Sequence, residues 1–263
     1  MIELYHNNMS VCAQKVRVAL AEKNIVVQEH HLNIRAGETH TPHYLALNPK
    51  GVVPTLVVDG EPIVESTIIC EYLEDAFPDQ QLLPTEPIQR AAARQWTLRP
   101  DSGLHHACGT LSFATAFRFQ NTAGQMAARK PGPVTTLLAD LIANGLDSAA
   151  LPPHLIVWAE LLDDMGSRLT HNAWLAGDEF SLADIAVLPY VVRLSDLRQE
   201  WLWRENPKRA AIGDWLERCK AQPGYRGIAA YLDQGYLDLM AKHGADSEPR
   251  LRALFSSVEA ARA

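Results

Sequence analysis

Glu65-Ser66 sets a carboxylate beside a residue type that favours helix N-termini. Behind it Ile68, Ile69, Tyr72 and Leu73 recur on one helical face, so a helix is predicted with Ser66 as its N-cap. Free amides and a hydroxyl at a helix start receive a carboxylate, and the Glu65 side chain suits an ammonium. A carboxylate and an ammonium a short distance apart describe one end of an α-amino acid. The stretch reads as a receptor for that end of a small ligand.

A tight hairpin has to hold this pair in place. Two β-branched runs flank Asp59-Gly60, the commonest dipeptide of two-residue hairpin turns, and Pro54 stands just before the first run. Upstream, Ile2 to Tyr5 alternates as a strand and His6 to Ser10 is a polar loop. Val11 to Lys23 predicts a helix with Ser10 at its start and Val16, Ala19 and Leu20 facing inward. Val26 to Leu32 predicts a second strand and Gly37 to His43 a loop. A short helix then runs through Leu47 to the turn Asn48-Pro49-Lys50-Gly51. The order β-α-β-α-β-β-α, complete by about Phe77, is a thioredoxin-like α/β domain spanning residues 1–78.

From Phe77 to Pro87 three prolines fall in eleven residues, which neither a helix nor a central strand tolerates, so residues 79–87 read as a linker. Strand patterning then stops, and residues 88–263 predict an all-α helical domain. Ile88 to Leu98, Leu155 to Leu169, Leu182 to Leu194 and Ala210 to Ala221 carry helical periodicity. Pro131-Gly132-Pro133 and Pro152-Pro153 bracket an insertion at about 131–153, expected to be helical over Val134 to Leu151. Ser181 and Asp184 predict a capping box, with Phe180 and Ile185 as its staple. A last helix is expected from Asp233, fraying into a tail.

At 263 residues two domains are favoured over one, and 47% apolar with 21% charged residues is enough for a packed core. The net charge of −7, with no basic block, argues against nucleic acid as a partner. No signal peptide leads the chain and no apolar run is long enough for a membrane, so a cytoplasmic protein is expected. Four scattered cysteines without metal spacing fit a reduced compartment and no metal.

Ser10 before the first helix, Asn48-Pro49 with Val53-Pro54, Glu65-Ser66, and Ala176-Gly177-Asp178 leading to Ser181 and Asp184 occur in an order and spacing that resembles the soluble glutathione transferases over nearly the whole chain. The resemblance implies glutathione as cosubstrate. Glu65 and Ser66 would take its γ-glutamyl end, the Val53 backbone its cysteinyl unit ahead of a cis Pro54, and His40 its glycyl carboxylate. Ser10 is then the candidate catalytic residue. A thiol with a pKa of about 8.5 is mostly protonated at neutral pH, and a hydroxyl donor at a helix N-terminus favours its thiolate. Cys12 competes for the role, because a first-turn cysteine often has a lowered pKa. Standing two residues beyond Ser10, it is expected to pack beneath the loop, and Cys70 in the core. Met9, His105, His106 and Phe113 are expected to line an apolar pocket for an aromatic electrophile. Adjacent histidines on a helix point apart and do not make a metal pair. The family pattern also implies a homodimer.

Ser10-x-Cys12 with Val16-Arg17 is similar to the zeta class, which isomerises maleylacetoacetate-type acids, but Ala13-Gln14-Lys15 departs from that motif. Glu65 to Pro78 followed by Arg94-Gln95-Trp96-Thr97 is similar to bacterial glutathione transferases that cleave β-aryl ethers of lignin fragments, a subgroup that also carries a long insertion. Cleavage of a β-aryl ether is therefore placed above isomerisation. A segment with only Arg99 and Arg118 is also poorly equipped for a dicarboxylate. A glutathione-dependent disulfide reductase using Cys12, or a non-catalytic module binding glutathione or a partner, are the remaining alternatives.

Overall fold

Four short strands form, β1 (Ile2–His6), β2 (Gln28–His31), β3 (Thr55–Val58) and β4 (Glu61–Val64), of which β2 is polar throughout. They form one sheet in the order β2-β1-β3-β4, with β1 parallel to β2 and antiparallel to β3, and β3 antiparallel to β4. The parallel pair needs a crossover, supplied by helix α1 (Val11–Glu22). β3 and β4 need only the Asp59-Gly60 turn, where φ is +50° and +93°. Helices α2 (Pro42–Leu47) and α3 (Ser66–Ala76) complete this half, so the β-α-β-α-β-β-α order is the observed one. Leu4 and Leu56 from the sheet pack with Val16, Ala19, Ile69 and Leu73 from its helices. The computed structural model describes residues 1–262; Ala263, the last residue of the expected helical domain, lies outside them.

The second half is helical: α4 (Pro87–Thr97), α5 (His105–Thr115), α6 (Ala123–Ala128), α7 (Pro133–Asn144), α8 (Leu151–Leu169), α9 (Leu182–Asp196), α10 (Trp201–Arg204), α11 (Ala211–Lys220), α12 (Arg226–Ala229) and α13 (Gln234–Arg262). Helix α9 is buried on every side from Leu182 to Leu194, as a helix apolar all round requires. Its capping box lies inside the protein: the Asp184 carboxylate accepts Ser181 N at 3.1 Å, Leu175 N at 3.0 Å and Trp215 Nε1 at 2.8 Å. Burial pushes the Asp184 pKa up to about 6 against the pull of those donors.

Four expectations need correction. Strand β2 starts at Gln28 because it is an edge strand paired only with β1, and Val26 is 92% exposed. Ile68 points outward, 55% exposed, while Ile69 and Leu73 carry the buried face of α3. Pro152 and Pro153 belong to the first turn of α8, where proline costs no helical hydrogen bond, and the helix expected over Val134 to Leu151 is α7, which ends at Asn144. Among the described residues the last helix does not fray: α13 runs for 29 residues through Pro249 to Arg262 and buries Met240, Leu251, Phe255 and Val258. No single helix among the described residues is long and apolar enough to cross a membrane.

Candidate functional site

Ser10 is the N-cap of α1. Its backbone is extended and its Oγ accepts Ala13 N–H at 3.3 Å. The hydroxyl proton has no acceptor among the described residues, so it is available to a ligand. The loop before it is held by its carbonyls. Arg17 donates to Asn7 O at 3.1 Å and Asn8 O at 2.8 Å, and Arg193 of α9 donates to Met9 O at 2.5 Å. Arg17 also donates to Gly227 O at 2.8 Å. Both arginines are buried. Burial draws the Arg17 pKa down to about 10, which leaves it charged at neutral pH. Three successive carbonyls fixed by two guanidinium groups set the position from which Ser10 starts the helix.

The second cluster surrounds the start of α3. The Val53–Pro54 peptide is cis. Glu65, with φ at +71°, is the N-cap residue, and Ser66 is the first helical residue rather than the cap. Glu65 forms an exposed ion pair with Lys50, Oε1 to Nζ 2.5 Å, of the kind that contributes little stability and yields readily to a ligand. Behind Ser66 the buried Lys15 ammonium donates to Thr67 Oγ1 at 2.8 Å, and Thr67 donates to Asp101 at 2.7 Å. His40 closes a short turn, its Nδ1 3.0 Å from Thr39 Oγ1, and lies against Gly51. Burial and, after it, the charge of Arg129 hold the His40 pKa below its usual value.

Cys12 does not pack beneath the loop. It turns toward the helical half, partly exposed, with Sγ 3.3 Å from His105 Nδ1 and 3.7 Å from the Tyr190 hydroxyl. Burial alone would raise its pKa. The charge and hydrogen bond of His105, then Lys15 and the Tyr190 hydroxyl, outweigh burial and bring it down to about 7. The reciprocal effect, led by the Cys12 charge, raises the His105 pKa. Cys70 is buried as expected, its thiol pushed up to about 12.

Of the four residues expected at the acceptor pocket, only Met9 lines the cavity that opens beside the loop before Ser10. That cavity is about 330 Å³, its exposed surface divided almost evenly between polar and apolar atoms, and is walled by Asn7, Asn8, Arg35, Gln120, Asp233 and Tyr236 among others. His105 is engaged with Cys12. His106 is exposed on α5, and Phe113 is core, edge-on to Phe117 with the Arg35 guanidinium 5.1 Å from its ring. Arg35 and Arg193 are site residues that sequence reasoning missed. Arg193 acts on Met9 O from the far half of the chain, Arg35 lines the cavity and donates to Gln120 and Gln125, and no local pattern marks either. Gly103, two residues after Asp101, takes a φ of +125° and kinks the chain between α4 and α5.

The glutathione S-transferase N-terminal domain model matches residues 9–76 and the C-terminal domain model residues 148–234, together more than half of the chain. LigF of Sphingobium sp. (strain NBRC 103272 / SYK-6) is 27% identical over 239 residues, 86% of this chain and 91% of LigF. The probable maleylacetoacetate isomerase of Caenorhabditis elegans is 43% identical over 101 residues, but these are 38% of this chain and 47% of that protein. The crystal structure of the β-etherase LigF from Sphingobium sp. strain SYK-6 superposes with a TM-score of 0.76 at 24% identity, over 88% of this chain and 99% of that one.

Proposed function

Because the chain belongs to the glutathione S-transferase family, we propose that it activates the glutathione thiol at Ser10 and uses it to cleave a β-aryl ether. Glu65 and Ser66 bind the γ-glutamyl end, the Val53 backbone at Pro54 pairs with the cysteinyl unit, and His40 faces the glycyl end. The Ser10 hydroxyl donates to the thiolate and, with the positive end of α1, favours it over the thiol. The thiolate attacks the β-carbon of an aryl-ether ketone, a C–S bond forms, the C–O bond breaks, and a phenoxide leaves.

The cavity beside Met9 carries the choice of acceptor. It is not the apolar pocket expected from the sequence. Its amides, Tyr236 and Asp233 suit a neutral aromatic that carries hydroxyl and ether oxygens. A dicarboxylate would meet Asp233. The nearby guanidinium groups are already committed, Arg193 to Met9 O and Arg35 to Gln120 and Gln125. The likeness to LigF over most of both chains supports the same choice. The test is to incubate the protein and glutathione with a fluorogenic β-aryl ether ketone and, separately, with maleylacetoacetate. Phenol release is the expected result; isomerisation without phenol release overturns it in favour of a zeta-like isomerase.

The Cys12–His105 contact favours a second reading, thiol–disulfide exchange. The Cys12 thiolate would attack a glutathione mixed disulfide, and the released thiolate would take the proton from His105. A glutathione thiolate would then free Cys12 as glutathione disulfide. Cys12→Ser abolishes this activity and spares ether cleavage. The working form is a cytoplasmic homodimer. Its four free cysteines suit a reducing compartment, and the outward Ile68 and Leu98, each 55% exposed, suit a face closed by a second copy. A monomeric mass by sedimentation at micromolar concentration rules the dimer out.

A further inference from the structure

Arg129 ends α6 in extended backbone, φ −90° and ψ 143°, where the helical half reaches onto the thioredoxin-like half. The approach is close. A Cβ on Gly124 would stand 2.8 Å from the Arg35 carbonyl oxygen, and one on Gly37 would stand 2.9 Å from Ala128 Cβ. Arg35 ties the same layers together, donating from Nε to Gln120 Oε1 at 2.8 Å and from NH1 to Gln125. Helix α6 therefore sits on the loop that leads into the Glu38–His40 turn. His40 is wedged in turn against Gly51, whose Cβ would stand 2.9 Å from its Nε2, just before Val52 and Val53.

The Arg129 guanidinium has no matching group. It forms no ion pair among the described residues, and its Nε is buried without a hydrogen-bond acceptor. Burying a charged donor unpaired is costly, and a carboxylate relieves that cost through charge-assisted hydrogen bonds. Arg35 also lacks a carboxylate partner; Asp233 shares its cavity but makes no ion pair with either arginine. The charge of Arg129 is felt at both Arg35 and His40, each of which burial already holds below its usual pKa. The unpaired Arg129 guanidinium near the His40 imidazole is complementary to an anion.

We propose that Arg129 is a glutathione-binding residue supplied by the helical half, holding the glycyl carboxylate with His40 beside it. This rests on the glutathione reading above and adds the group that recognises the tripeptide's C-terminal end. A carboxylate on the second substrate has the same chemistry, so the test separates the two. Calorimetric titration of the full-length protein with glutathione and with its glycyl ethyl ester, on wild type, Arg129→Gln and Arg129→Lys, reads the contact directly. Wild type binds glutathione about tenfold tighter than the ester. Arg129→Gln loses that preference by weakening glutathione alone, and Arg129→Lys keeps part of it. The proposal is overturned if Arg129→Gln keeps the full preference for the free acid, or if it weakens acid and ester equally. It is also overturned if Arg129→Gln affects only binding of an electrophile bearing a carboxylate. Failure of wild type to bind glutathione at all removes the underlying reading as well.

Discussion

Ser10 and Cys12 leave the same turn of α1 and enter different chemical company. Ser10 caps the helix and has no titratable neighbour in hydrogen-bonding contact. Cys12 faces the helical half and meets His105 and Tyr190, 93 and 178 residues away in sequence, with the Lys15 charge close by. Both share the positive end of one helix. The difference teaches that the dipole alone does not decide which side chain is poised. A hydroxyl that acts on a ligand's thiol needs only position, whereas a thiol that acts for itself needs charged neighbours to ionise it.

The comparison is broken most severely through Ser10. Ser10→Ala is expected to lower turnover about a hundredfold while glutathione affinity stays near wild type, because the donor acts on the thiolate more than on the thiol. Steady-state rates beside a binding titration separate the two quantities. Full activity in that variant, with loss in Cys12→Ser, would transfer the chemistry to the thiol. Ser66→Ala comes next: loss of a charge-assisted bond weakens glutathione by about 1.5–3 kcal/mol, read by calorimetry. Unchanged affinity there removes Ser66 from the γ-glutamyl site.

Smaller effects sharpen the Cys12 side. Its alkylation by iodoacetamide should rise with pH and reach half its maximum near the pKa of about 7, since the thiolate is the attacking form. Below that pH the thiol is protonated and the rate falls. His105→Gln removes the main stabilising charge, so the midpoint moves to higher pH. Cys70 and Cys108 should stay unlabelled across the range, being buried with thiols pushed up to about 12 and about 11. Tyr190→Phe shifts the Cys12 midpoint the same way by less, because the hydroxyl is the weakest of the named influences. A midpoint unmoved in both variants would show that the helix start suffices after all.

What was legible beforehand is local. Asp59-Gly60 specifies its turn through φ, Ser10 and Ser181 specify helix starts through short-range capping, and Pro78 and Pro84 fall between α3 and α4. The misplaced cap at Ser66 has a local cause too. Glu65 takes a positive φ that nothing in a glutamate advertises, so the helix begins one residue earlier than capping preference suggests. Residues whose roles depend on the other half stayed hidden. Phe113 was expected to line the pocket, yet packing against Phe117 and Arg35 puts it in the core. Arg35 and Arg193 act on groups far away in sequence, as does His105 on Cys12. The polar part of the cavity surface follows from side chains brought together by the β1–α1 loop, the chain before α6 and the start of α13.

The carbonyls of Asn7, Asn8 and Met9 bear on how such a chain can diverge. A recombination at the linker that replaced the helical half would carry away Arg193 and the Gly227 carbonyl that steadies Arg17. The incoming half would have to bring its own donor for Met9, or that carbonyl would be left buried and unsatisfied. Ser10 is thus encoded in the first half and aimed by the second, so the two must be inherited together. Variation is cheaper in α7, which supplies no donor to those carbonyls among the described residues. Lineages that change acceptors have room to do so there without disturbing the aim.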